Sequence, residues 1–252
     1  MQQFRLDGRV AVVTGGGGGL GADMCRALSA AGASVAVVGR TQGTIDAVRD
    51  QVRAGGGEAL SVLADVSRKD SIEAMAAAVV HQLGGIDILI NNAAVYPRRA
   101  WTEIPEEEWD AVLDTNLKGY FLCARACHGS MRERGHGRIV NLTSITFFGG
   151  WDMLLSYVSS KGGIVGFTRA LAREVGPEGI TVNAISPGAF PTDAERIHPD
   201  PEGYDRFVLE RQSLKRRGTP EDIGNLAVFL ASDASSFMTG QLFEIDGGWV
   251  MH

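Results

Sequence analysis

Three cysteines in 252 residues are too few, and odd in number, for a disulfide framework. Cys25, Cys123 and Cys127 fall in apolar, helix-like contexts and read as reduced core thiols. Their spacing matches no metal-ligand pattern, so no metal is expected. No apolar run approaches the ~18 residues that a membrane span needs. The start, MQQFRLDGR, lacks the apolar core of a secretory signal, so the expected location is cytoplasmic. Charge of one sign is missing as well. Lys and Arg number 24 against 30 Asp and Glu, for a net charge of −6, and the two signs are interleaved. Without a basic stripe, nucleic acid is not an expected partner. Lys215, Arg216 and Arg217 form the one short basic cluster and read as a solvated loop. There is no internal repeat, linker or low-complexity stretch.

What is present is a 44% hydrophobic chain, enough for a large buried core. It is read as one α/β domain over residues 1–252, although ~150 residues is the usual domain size. Strand-like apolar runs at 10–13, 34–38, 59–63, 86–90, 138–142, 181–185 and 242–245 alternate with helical patterns. Those patterns lie at 22–31, 44–53, 71–82, 106–132, 156–175 and 220–231. Such alternation predicts a doubly wound seven-stranded parallel sheet with helices on both faces. Residues 188–217 lack clear periodicity apart from a short helix near 204–212. A loop that long in a compact domain suggests a substrate lid.

Two local patterns carry chemistry. Tyr157 and Lys161 are four apart, so on a helix they share a face and set an ammonium beside a phenol. A free phenol titrates near ~10, and a nearby cation favours its ionised form. Ser144 follows the strand-like residues 138–143, where a C-terminal strand end aims a side chain at a ligand crevice. Near the start, an apolar strand runs into Gly15 to Gly19, Leu20 and Gly21, ahead of a helix. Glycines there let backbone approach a pyrophosphate at a helix N-terminus.

Together these residues resemble the short-chain dehydrogenase/reductase family over nearly the whole chain. The motifs are Thr14-Gly15-x-x-x-Gly19-x-Gly21, Asn91-Asn92-Ala93-Ala94, Asn116, Ser144 with Tyr157-x-x-x-Lys161, and Pro187-Gly188 followed by Thr192. Ala94 departs from the glycine usual in the family. The resemblance implies a Rossmann fold and an NAD(P)-dependent oxidoreductase acting on an alcohol or ketone. Its catalytic residues would be Asn116, Ser144, Tyr157 and Lys161. Tyr157 would exchange the substrate proton, Lys161 would lower its pKa and hold the nicotinamide ribose, and Ser144 would hold the substrate oxygen. Asn116 would support a proton-relaying water. Coenzyme contacts would come from Gly15, Gly18, Gly19, Leu20, Gly21, Asp65, Val66, Asn92, Ala93, Ala94, Tyr157, Lys161, Pro187, Gly188, Phe190 and Thr192. At the end of the second strand, Gly39-Arg40-Thr41 stands where an acidic residue would select NAD. Arg40 can pair with a 2′-phosphate, with Thr41 beside it, so NADP is favoured over NAD.

Tyr96, Thr146, Phe148, Trp151, Leu154 and Phe190, with Phe147, flank these motifs and suggest an aromatic, apolar substrate pocket. An aryl or cyclic secondary alcohol is the expected substrate. A 3-oxoacyl-(acyl-carrier-protein) reductase, a sugar or polyol dehydrogenase and a non-catalytic coenzyme-binding scaffold are the alternatives. Arg98 and Arg99 could meet an anionic group or simply be solvated. The resemblance further implies a homotetramer with a small-molecule substrate as partner.

Overall fold

The computed structural model describes residues 2–192, 195 and 200–251. A parallel sheet of seven strands forms its centre. The strands are β1 (Val10–Thr14), β2 (Ser34–Gly39), β3 (Ala59–Leu63), β4 (Ile88–Asn91), β5 (Gly137–Leu142), β6 (Ile180–Pro187) and β7 (Leu242–Ile245), in the order β3-β2-β1-β4-β5-β6-β7. β1, β4, β5 and β6 are buried at every position, because helices cover both faces. Successive side chains point to opposite faces, so the apolar runs split between two cores. Ala11, Val13, Val35, Val37, Ile88 and Ile90 face one side, packed with Met24 and Leu28 of α1 (Gly19–Ala30) and Leu230 of α9 (Pro220–Ala231). Val10, Val12, Ala36, Val38, Leu89 and Ile139 face the other, with Ile72 and Met75 of α3 (Lys69–Leu83) and Cys123 of α5 (Gly119–Glu133).

All seven expected strands and the expected alternation are present. The expected helix over 106–132 is not continuous. It divides into α4 (Glu106–Leu113), a π-helical segment Asp114–Lys118 and α5. The Gly119 amide donates to the Asp114 carbonyl five residues back, and the extra residue turns Asn116 inward, where it is fully buried. The glycine run also enters the helix earlier than expected, since α1 starts at Gly19 rather than residue 22. The remaining helices are α2 (Gln42–Ala54), α6 (Thr146–Gly149), α7 (Leu155–Val175) and α8 (Pro201–Arg211). α8 is the helix expected in the lid stretch, and residues 193, 194 and 196–199 of that stretch lie outside the described residues.

Sheet order reverses between β1 and β4, and a crevice opens there at the strands' C-terminal ends. At the opposite end, fully buried Asp87 accepts from the Val10 amide at 2.9 Å and Arg134 Nε at 2.9 Å, which fastens β1 and α5. The three cysteines are free and buried in the helix layers. Burial pushes the Cys127 thiol up to about 12 and the other two up as well. Among the described residues, no helix is long and apolar enough to cross a membrane, and no three His, Cys, Asp or Glu side chains group as a metal site requires.

Candidate active site

A cavity of about 520 Å³ occupies the crevice. One wall is the turn after β1, where Gly15, Gly18, Gly19 and Leu20 line the space. Gly15 has φ +64 and Gly19 φ +50, a conformation that side chains resist. Nothing lies within 4 Å of a Cβ built on Gly18. A Cβ on Gly21 would collide with the Gly15 carbonyl and approach Asn92 Nδ2 to 2.7 Å. Gly21 thus closes the turn from behind while Gly18 leaves open space in front. No side chain caps α1, so its first-turn N–H groups and dipole face that space. This cradle fits the pyrophosphate of a dinucleotide.

The floor comes from the ends of β4 and β6, with Asn92, Ala93, Ala94, Pro187, Gly188, Phe190 and Thr192. Asn92 Nδ2 donates to the Thr14 carbonyl at 3.0 Å and the Gly15 carbonyl at 3.2 Å, locking the floor to the glycine turn. Arg40, Thr41, Asp65 and Val66 do not line the cavity. They stand further along the same sheet edge, after β2 and β3, where an adenosine end would extend. Burial acts to raise the Asp65 pKa, but hydrogen bonds from Ser67 and the charge of Arg40 outweigh it and hold the carboxyl low.

Ser144, Tyr157 and Lys161 meet on the cavity wall. Ser144 Oγ accepts from the Thr146 amide at 3.2 Å and the Thr146 hydroxyl at 3.0 Å, so its own proton can be donated to the Tyr157 oxygen beside it. The two helix-borne residues sit in the first two turns of α7. Burial pushes the Tyr157 phenol up to about 12, against a hydrogen bond with Ser144 that acts to lower it. Burial also pushes Lys161 down to about 7. Its Nζ donates to the Leu142 carbonyl at 2.7 Å and stands 5.4 Å from the Tyr157 ring centroid. The expected lowering of the tyrosine by the lysine is therefore absent from this arrangement. A lysine 2% exposed and brought down to about 7 is only partly charged at neutral pH, and its donor is aimed at a backbone carbonyl.

Asn116 does not reach the cavity. Its amide accepts from the Val95 N–H at 2.8 Å, donates to the Val95 carbonyl at 2.9 Å and donates to Ser160 Oγ at 3.1 Å. Ser160 in turn donates to the Tyr157 carbonyl at 2.6 Å. The π-helical segment thus ties the post-β4 segment to the turn of α7 that carries Tyr157.

Of the expected pocket residues, Tyr96, Thr146, Trp151, Leu154 and Phe190 line the cavity. The Tyr96 ring meets the Tyr157 ring edge-on, centroids 6.0 Å apart. Phe148 does not line it; its ring packs against Phe147 at 4.9 Å. Periodicity could not separate these neighbours, because α6 is a single short turn. Arg98, Asp152, Glu195 and Tyr204 also line the space, and only Arg98 had drawn notice in the sequence. Tyr204 sits on α8, so that helix forms part of the wall.

A family model described as enoyl-(acyl carrier protein) reductase matches residues 16–250. The chain is 39% identical over 243 residues to a (2S)-[(R)-hydroxy(phenyl)methyl]succinyl-CoA dehydrogenase subunit of Thauera aromatica, covering 96% of this chain and 97% of that one. It is 36% identical over 249 residues to a 3-oxoacyl-[acyl-carrier-protein] reductase of Synechocystis, covering 98% of each. A crystal structure from Beutenbergia cavernae, provisionally assigned as an NAD(P)-dependent gluconate 5-dehydrogenase and holding NADP at low occupancy, superposes with a TM-score of 0.92. That structure is 37% identical, with 98% of each chain covered. A match of this extent, for a chain that carries a glycine cradle beside a Ser-Tyr-Lys wall, means that the chain belongs to the short-chain dehydrogenase/reductase family of NAD(P)-binding oxidoreductases.

Proposed function

We propose that the chain interconverts a secondary alcohol and a ketone of aryl or cyclic, largely hydrophobic character, with NADP favoured as coenzyme. One observation carries this reading: the Ser144 and Tyr157 hydroxyls and Lys161 share a cavity wall beside an open glycine cradle. The coenzyme supplies the hydride or accepts it. The rest of the work falls to the chain's own groups.

Ser144, its oxygen already accepting from Thr146, donates to the substrate oxygen and fixes its position. Tyr157, with a pKa near 12, keeps its proton at neutral pH and gives it to the carbonyl oxygen as negative charge builds there. That protonation state serves ketone reduction. Lys161, poised near 7, sits beside Tyr157 to hold the nicotinamide ribose and to return a proton to the phenol. Tyr96, Trp151, Leu154 and Phe190 exclude water and favour an apolar substrate body. The relative named for a hydroxy(phenyl)methyl thioester supports an aryl carbinol, while the relative named for 3-oxoacyl chains keeps a carrier-bound acyl group as the second reading. Arg40 supports NADP through its place at the end of β2. The same reading has residues 188–217 act as the lid, the chain work in the cytoplasm, and α5 and α7 pack against their counterparts in a homotetramer.

Nicotinamide absorbance, followed with both reduced coenzymes and a panel of aryl ketones, alicyclic ketones, oxoacyl thioesters and keto sugars, tests this directly. The expected result is NADPH-dependent reduction of aryl or alicyclic ketones that Tyr157→Phe abolishes without loss of coenzyme binding. Exclusive use of a sugar or a carrier-bound acyl group would overturn the substrate reading. Turnover that survives in Tyr157→Phe would overturn the mechanism.

A further inference from the structure

Arg98 and Arg99 are adjacent in sequence and opposite in fate. The Arg99 guanidinium forks onto the Glu108 carboxylate, with Nε 3.1 Å from both oxygens and a terminal nitrogen at 2.9 Å. Its amide is bonded to the Met153 carbonyl at 2.9 Å, so Arg99 is spent on holding the segment to the loop after β5. Arg98 instead lines the cavity, and among the described residues it has no ion-pair or hydrogen-bond partner. Tyr204 of α8 lines the same cavity, and although burial raises its phenol, the Arg98 charge acts to lower it.

The other charges of the lining sharpen this. Lys161 has its donor on the Leu142 carbonyl. Glu195 is paired with Arg217, which also pairs with Asp205. Asp152, next to Trp151, is an exposed carboxylate at the same mouth. Away from the glycine cradle, an anionic group entering the cavity is therefore attracted at Arg98 and repelled on the Asp152 side. Arg98 is two residues from Tyr96, and the Tyr96 ring lies 6.0 Å from that of Tyr157, with all three lining one cavity.

We infer that Arg98 receives a carboxylate at the far end of the substrate, so that the substrate class is a hydrophobic hydroxy or oxo acid with the ring against Tyr96 and Trp151. The inference rests on the reading of the Tyr157 wall as the carbonyl site. A planar guanidinium matches a carboxylate with two parallel hydrogen bonds, which a solvated lysine would not offer as selectively.

The test uses the full-length protein with matched probes, 3- and 4-acetylbenzoate and their methyl esters. The wild-type enzyme is expected to favour the acids in kcat/KM by about tenfold, a factor in keeping with hydrogen bonds to a charged partner. Arg98→Gln is expected to collapse that acid-to-ester ratio to about one, Arg98→Lys to restore part of it, and Arg99→Gln to leave it unchanged. Asp152→Asn is expected to weaken the discrimination among positions of the carboxylate on the ring. Equal use of acid and ester by the wild-type protein, or a ratio untouched in Arg98→Gln, overturns the inference.

A second readout separates this failure from failure of the proposed reaction. Binding of 3-acetylbenzoate to the protein loaded with oxidised coenzyme is followed by calorimetric titration. Binding that depends on Arg98 without turnover sinks the reaction and leaves the carboxylate site standing. Absence of binding sinks the site. Dependence on Arg98 seen with an oxoacyl-CoA but with no free acid would assign the arginine to the phosphates of the thioester arm instead, and so overturn the carboxylate.

Discussion

Replacing Lys161 with methionine should make the protein more stable while it removes activity. The side chain is 2% exposed, and burial moves its pKa from the ordinary 10.5 to about 7. Keeping a lysine so far from its solution behaviour costs about 5 kcal/mol at or below pH 7. Part of that is offset by the hydrogen bond to the Leu142 carbonyl at 2.7 Å, worth about 1.5–3 kcal/mol. The carbonyl would not be orphaned by the substitution, since the Tyr120 hydroxyl also donates to it at 3.2 Å. Methionine nearly conserves the volume and carries no charge, so Lys161→Met is expected to gain about 2–3 kcal/mol at pH 7. For a chain of this length that corresponds to a rise in Tm of about 5–10 °C.

The sign with pH follows from proton counting. Between pH 7 and 10.5 the unfolded chain holds a proton on this lysine that the folded chain has released, so wild-type stability from this group rises with pH across that window. Thermal unfolding without coenzyme, at one protein concentration and at pH values from 6 to 10, should show the variant ahead at pH 7 and the gap closing towards pH 10. A variant less stable than wild type at pH 7, or a gap that does not change with pH, would refute the assignment of Lys161 as a desolvated, destabilising base.

The coenzyme cradle makes a paired prediction. Gly18→Ala should leave Tm within about 1 °C and weaken coenzyme binding several-fold, because its Cβ meets only open cavity, whereas Gly21→Ala should cost about 1–3 kcal/mol of stability by overpacking the Gly15 carbonyl. Calorimetric titration with NADPH and thermal unfolding of both variants distinguish the two effects. At the far wall, the Trp249 ring lies 5.5 Å from Trp151 in the cavity and 5.7 Å from Phe207 on α8, so it joins the wall to that helix. Each aromatic contact is worth about 0.5–1.5 kcal/mol, and Trp249→Ala should raise KM for a bulky ketone by about tenfold with coenzyme affinity unchanged and with partial rescue by phenylalanine. A parallel fall in coenzyme affinity would show a general loss of structure instead.

Local signals reveal the elements whose cause is local. Val10 to Val13 and Ile88 to Ile90 are buried on both faces, so they stand out as unbroken apolar runs. Tyr157 and Lys161 share a helical face whatever lies around them, and the glycine turn follows from the close approach of Gly21 to Gly15. The π-helical segment left no such mark. Residues 106–132 carry an uninterrupted helical pattern, and the extra residue is held by Asn116 bonding to the backbone of Val95, twenty-one positions away. Protonation was hidden for the same reason. Spacing alone sets Lys161 beside a phenol and argues for a lowered tyrosine, but the sheet and helices that bury both groups raise the tyrosine and lower the lysine to about 7. The two arginines make the point within a single dipeptide, because Glu108 reaches across nine residues to claim Arg99 and leaves its neighbour on the cavity wall. A buried lysine and an asparagine inside a helix each break a rule of local consistency. The lysine stands on the cavity wall and the asparagine on its supports, where such departures are expected to carry function rather than stability.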